Sequence, residues 1–307
     1  MQFSAKKSPR RRSGAARRRE TIIGWVLVLL SAVILLACWR FGMQPRYESV
    51  NVSPETPEDV DRELKYLALT DVDRDTSADG AEKIALDDAE NEVVITSGKP
   101  VILTGSFSGT VRVRAPEQTV HLVLADAQIT AKTGSAILVE EADRVIITLQ
   151  DGTRNVIADS GCYPADSECD GCIYAACDLT FNGTGSLEVN GLYQDAIRSV
   201  DRVKIVDGAY RLTAKRNAIR GNDGVRIAGG TLFLGSEKNG VMTTKQGPDG
   251  RGDLIISGGD VSVVAGRYAF VADKAQLYML DCTVKTNAAA GDFDVHGTRY
   301  LEDGCLQ

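Results

Sequence analysis

Histidine is almost missing from this chain: His121 and His296 are the only two in 307 residues, too few for a histidine-ligated metal centre or for Ser-His-Asp chemistry built on several alternatives. Tryptophan is confined to Trp25 and Trp39, so the rest of the chain lacks the flat indole platforms on which neutral sugars stack. Proline is scarce, eight residues against 30 glycines. No segment after residue 80 keeps a 3.6-residue apolar period long enough for a helix, which excludes helical bundles and α/β folds. Many Val, Ile and Thr residues with Gly at short intervals instead predict turn-rich, all-β structure, and 43% apolar residues exclude disorder throughout.

The formal net charge of -7 is unevenly distributed. Residues 1–40 hold nine basic residues and one acid, while residues 41–194 sum to -16, residues 195–267 to +4 and the tail to -3. In the head, eight cations from Lys6 to Arg19 precede Thr21 to Cys38, 18 residues without a charge. That length suits one membrane-spanning helix of about 17 to 25 residues, and the cations orient it with the N-terminus in the cytoplasm. The expected organisation is a cytoplasmic basic segment (1–20), a transmembrane helix (21–38), an acidic stalk and cap (39–80) and an extracytoplasmic body (81–307). Two alternatives compete with the anchor. One is a lipoprotein signal at Leu35-Leu36-Ala37-Cys38, where Leu36 and Trp39 fit poorly; the other is a cleaved signal peptide, for which the apolar run is long. The membrane flank already gives the basic residues a reason to exist, so no nucleic-acid partner is expected.

Cysteine usage follows the same address. Cys162, Cys169, Cys172, Cys177, Cys282 and Cys305 form an even set in an exported body, and disulfides are expected rather than a metal site of the same spacing. Six cysteines allow 15 pairings, among which the sequence does not choose. Upstream, Asp71, Asp73, Asp75, Asp79 and Glu82 occupy positions of a calcium-binding loop, but Thr76 stands where the sharp turn needs glycine. The stretch reads as a solvated acidic lead-in, and Tyr47 to Leu69 as a cap on one end of the body, with the Cys305 tail on the other.

The body is repetitive. DAIRS begins at Asp195, NAIRG at Asn217 and NGVMT at Asn239, each 22 residues after the last; YAFVA follows 29 residues later at Tyr268, behind a loop at Gly247–Asp253. Each copy continues into two further strand-like pieces around a small turn: RVKIV-DG-AYRLTA, GVRIA-GG-TLFLGS, DLIIS-GG-DVSVVA and QLYML-DC-TVKTNA. Three short strands per 22 residues predict a parallel β-helix, in which each repeat is one coil stacked on the next. About nine coils fit between residues 93 and 290. A propeller blade needs roughly twice this period.

The run from TDVDRD at Thr70 through VHLVLADAQIT, TGSAILVEEADRVIITLQDGTRNVIADS and CDLTFNGTGSLEVNG to the DAIRS and NAIRG coils resembles the bacterial non-catalytic carbohydrate-binding β-helix proteins. That resemblance, over about residues 70–290, implies a right-handed, pectate-lyase-like helix at the cell surface that binds cellulose and acidic sugars and carries calcium. It also turns the acidic stretch before Glu82 into the lead to a first strand. Where such coils carry stacked aspartates, this chain has Asp195, Asn217 and Asn239, with Arg216 and Lys238 beside them. These three are the candidate calcium ligands, with affinity expected to be weakened; a ladder of amide hydrogen bonds is the alternative.

Residues 195–267 hold twelve basic residues against eight acids. Arg198 and Arg220 fall at the same position of successive coils, so a column of guanidinium groups is expected to take carboxylates of a uronate chain bidentately. Arg198, Arg216, Arg220, Lys245 and Tyr193 are the candidate sugar-binding residues. The function expected is therefore capture of a cell-wall or acidic polysaccharide without catalysis. A structural surface protein with no glycan is one alternative. The other is a lyase, with Arg216 and Arg220 cast as proton-abstracting groups.

Overall fold

The computed structural model describes residues 64–247, 250–273 and 275–307. The expected transmembrane segment, residues 21–38, lies outside them, as do Cys38 and the first part of the expected cap.

The described residues form an all-β parallel solenoid. One wall is a nine-stranded sheet running from Glu92–Ile95 to Gly291–Val295, one strand from each of nine coils. A sixteen-stranded sheet supplies the other two walls, because the long strand Thr119–Thr130 bends across a corner. Its first half, Thr119 to Leu124, pairs with Arg144–Leu149 on the second wall, and Gln128 to Thr130 pair with Arg154–Ala158 on the third. The laddered strands pair in parallel, each with its counterpart one coil away.

Register stacks like on like. On the first wall Ile137, Ile173, Ile197, Ile219, Val241, Phe270 and Phe293 succeed one another, and on the second wall Ile147, Phe181, Ile205, Ile227, Ile256 and Met279 do the same. Alternation along each strand sends these side chains inward, where all but Phe293 are fully or almost fully buried. Each such aliphatic side chain contributes about 1.5 to 3 kcal/mol of burial, available only once a neighbouring coil covers it.

The turn dipeptides of the repeat mark the corner between the second and third walls. Gly208, Gly230 and Gly259 all adopt positive φ there; in the next coil Cys282 takes the glycine's place and the left-handed residue is Asp281, one position earlier, at φ 47°. At Gly230 the requirement is double: φ is +88°, and a Cβ would lie 2.5 Å from the Gly208 carbonyl oxygen. Gly230→Ala is expected to cost about 2 to 4 kcal/mol, read as a lowered thermal midpoint.

Residues 64–80 do not cap an end of the solenoid. They run as a strap along the outside of the second wall. Leu67 is buried against Ile255 and Tyr278, and Tyr66 donates its hydroxyl to Asp223 at 2.9 Å. A one-turn helix, Asp71–Arg74, is capped at its start by Thr70, and its Asp73 is buried. Lys204 donates to Asp73 Oδ2 at 2.9 Å and to the Ala68 carbonyl at 2.8 Å, while Thr180 reaches Asp73 Oδ1 at 2.7 Å. Asn182 ties down the carbonyls of Asp73 and Asp75. The acidic stretch is therefore only partly solvated: its central carboxylate forms a buried ion pair with the body. At the other end of the chain the tail pairs Leu306 with Val284.

All six described cysteines are free thiols, contrary to the expectation of disulfides. Cys172 and Cys177 point into the core, where apolar packing occupies them. Cys282 and Cys305 are neighbours, with the Cys282 N–H 3.4 Å from the Cys305 Sγ.

Candidate functional site

On the outer side of the first wall, side chains alternate with the buried isoleucines, so Arg198 and Arg220 stand in register beside each other with Tyr174 next along. The expected arginine column therefore exists, and Arg216 joins it from the preceding corner. All three guanidinium groups converge on one carboxylate, one coil before Gln194 and at the same offset. Asp170, at the end of the loop carrying Cys162 and Cys169, receives Arg198 Nε at 3.1 Å, Arg216 Nη1 at 3.2 Å and Arg220 Nη1 at 3.3 Å. Sequence separations of 28, 46 and 50 residues close in this one contact. Behind it lies Asp195, with Arg216 Nε 3.5 Å and Arg220 Nη1 3.9 Å from its two oxygens.

Three cations thus face two acids, and burial of the acids is unequal. Asp195 is completely buried, and its Oδ2 accepts no hydrogen bond. Burial raises its pKa to about 6, against the opposing pull of Arg216. Arg220 is lowered from the ordinary arginine range by burial and by the like charges of Arg198 and Arg216, and its Nε makes no hydrogen bond. The arrangement is a cationic recess that already holds one carboxylate.

The residues named as calcium ligands are hydrogen-bonded to one another. Asp195 Oδ1 accepts from the backbone N–H of Asn217 at 3.0 Å and from its amide at 2.7 Å, and Asn239 donates in turn to Asn217 Oδ1 at 3.0 Å. The stacked oxygens that would share a cation are joined to one another by amide hydrogens. Among the described residues no group of three or more His, Cys, Asp or Glu side chains is placed to hold a metal.

Tyr193 lies at the rim, next to Gln194, which accepts from Arg216. It is 40% exposed and stacks on Tyr163 with centroids 4.2 Å apart. Tyr163, not singled out in the sequence, is held by Asp159 and the Gly171 carbonyl. Lys245 is not part of the recess: it pairs with Asp223 at 2.8 Å, alongside Tyr66 of the strap. The sequence signal for Asp170 is weak: it precedes strand Gly171–Ala175, whose Gly171 pairs with Asp195, so it holds the offset of Gln194 and Arg216, but 24 residues instead of 22 separate these two coils.

The model of the family described as carbohydrate-binding domain-containing protein matches residues 89–300. A relative of the same description from Acetivibrio thermocellus is 31% identical over 138 residues, 43% of this chain and 48% of the relative, so the chain spans about half that protein's length. Among solved structures, a polysaccharide lyase-like protein from C. thermocellum, determined as a gadolinium derivative, superposes with a TM-score of 0.71 at 26% identity, covering 74% of this chain and 98% of the other. With its family model matched over most of the solenoid, the chain belongs to the carbohydrate-binding domain-containing proteins.

Proposed function

We propose that this protein is a membrane-anchored, extracytoplasmic binder of acidic polysaccharide that acts without catalysis. Family membership supports the carbohydrate. The observation that carries the acidic class is the convergence of Arg198, Arg216 and Arg220 on the carboxylate of Asp170, within 3.1 to 3.3 Å. A uronate presents the same carboxylate chemistry to the same three guanidinium groups. Asp170 then competes with ligand. Asp170→Asn is expected to tighten binding of an oligogalacturonide by about tenfold in calorimetric titration, and adding Arg216→Gln and Arg220→Gln to reverse the gain. Affinity indifferent to all three changes would remove the acidic specificity. Calcium remains part of the proposal only as a weak additional ligand, checked by repeating the titration with chelator.

The buried Nε of Arg220, which makes no hydrogen bond, favours a second reading, a lyase in which that guanidinium abstracts a proton beside a uronate carboxylate. Growth of ultraviolet absorbance from unsaturated product on incubation with polygalacturonate, abolished by Arg220→Lys, would establish it. Under the binding reading the absorbance stays flat.

Localisation rests on the 18 uncharged residues from Thr21 behind eight cations. An oxidising exterior would join Cys282 to Cys305, whose sulfur lies against the Cys282 amide. Protein taken from intact membranes is expected to show that pair resistant to alkylation until reduced; two freely alkylated thiols would argue for a reducing compartment.

A further inference from the structure

The outer side of the third wall carries a second feature, on a different sheet from the arginine recess. Strands Ser186–Gly191, Ala209–Ala214, Thr231–Ser236 and Asp260–Ala265 lie side by side in strict register. Their outward central positions form the row Glu188, Arg211, Phe233 and Ser262, continued by Lys285. Beside this row runs a floor of short side chains, Ser186, Ala209 and Thr231, also in register. Tall side chains along a low floor leave an open groove of about 430 Å³, with Arg154 at one end.

The groove's chemistry is specific. The Arg211 guanidinium lies 4.6 Å from the centroid of the Phe233 ring, covering one of its faces. The neighbour on the other side is Ser262, too small to cover the second face. Arg154 is 76% exposed and, among the described residues, its guanidinium pairs with Glu188 alone, at 3.2 Å. That surface pair contributes little and gives way readily to a competing carboxylate. Arg154, Arg211 and Lys285 against Glu188 and Asp260, which continues the floor beyond Thr231, leave the two rows at +1 in a protein whose formal net charge is -7. Consecutive coils advance by about 4.8 Å, so a ligand following the row meets a new side chain at each step along the solenoid.

We propose that this groove is a second contact surface for an acidic polysaccharide, lying along the solenoid axis. A pyranose ring stacks on the open face of Phe233, and carboxylates of the chain engage Arg211 and Arg154. An aromatic face flanked by guanidinium groups fits a sugar bearing a carboxylate better than a neutral glucan, for which the cations do nothing, or a flat anion, for which the low floor is superfluous. The inference rests on the carbohydrate-binding reading above and adds to it the surface and its stacking residue.

The test is calorimetric titration of the full chain with an oligogalacturonide, with a neutral cello-oligosaccharide of similar length as the second probe. Phe233→Ala and Arg211→Gln are each expected to weaken oligogalacturonide binding by about tenfold, Phe233→Tyr to preserve it, and Glu188→Gln to tighten it by about threefold. The last change is a gain, which a damaged fold cannot mimic. Wild-type binding that none of these substitutions alters overturns the groove and leaves the proposed function standing. Absence of oligogalacturonide binding by the wild type removes both. Equal loss of the neutral probe on Arg211→Gln would overturn the assignment to an acidic ligand.

Discussion

Asp195→Asn is expected to stabilise the solenoid by about 3 kcal/mol at pH 8 and to leave it unchanged below pH 4. The folded pKa of Asp195, about 6, lies above its ordinary value of 3.8. Its contribution is therefore fully present in acid and is lost as pH rises through 6, because the folded protein must ionise a carboxyl that water no longer reaches. Asparagine keeps the oxygen that accepts from Asn217 and removes the ionisation. Asp159 and Asp201 are also raised by burial, so the informative quantity is the difference between variant and wild type across pH, measured by denaturant unfolding. For a body of this size the gain corresponds to roughly 5 to 10 °C in thermal midpoint. The same change leaves the arginine recess one unit more positive and should tighten its hold on anions. A variant no more stable than wild type at pH 8 would show that Arg216 and Arg220 stabilise the anion more than burial disfavours it.

Lys204→Ala is expected to be among the most destabilising changes on the outer surface, at about 3 to 5 kcal/mol. It strips Asp73 of its cation while that carboxylate stays buried under the strap. Burial alone would raise the pKa of Asp73; hydrogen bonds from Thr70, Lys204 and Thr180 prevail and hold it at about 2. That depression stabilises the fold above the ordinary carboxylate range, and the benefit is lost as pH falls through 2. Replacing both partners, Asp73→Leu with Lys204→Met, should recover much of the loss, since two well-packed apolar side chains leave no charge uncompensated. Proteolytic cleavage within residues 64–80 should quicken in the single variant and slow again in the double. Equal cleavage in all three proteins would mean the strap is held by Leu67 against Ile255 and Tyr278 instead.

The arginine recess divides legible from illegible. Arg198 and Arg220 could be placed beside each other because each sits at the fourth position of its five-residue strand, 22 residues apart. The amide ladder from Asp195 to Asn239 follows from the same offset. The row from Glu188 through Arg211 and Phe233 to Ser262 is equally legible, as the third residue of SLEVNG, AYRLTA, TLFLGS and DVSVVA. Lys245 lies apart from the recess because a place in the basic band of the sequence does not fix which acid lies across the corner, and that acid is Asp223.

By itself, then, the sequence determined the solenoid: a 22-residue period, one left-handed corner residue per coil and inward aliphatics compel each strand to stack on its predecessor, since no coil can bury its apolar face alone. It also determined which side chains share a row, because register repeats with the period. Only the tertiary structure decided which charges meet. Asp170 holds the same coil offset as Gln194 and Arg216, yet nothing in that offset says that three arginines close on it, and Asp73 comes from a strap 131 residues before Lys204, outside the repeat. These pairings are set by how side chains of neighbouring coils and the strap meet over the column, where desolvation turns an acidic lead-in into a buried anchor and an aspartate at a coil corner into the occupant of an arginine recess.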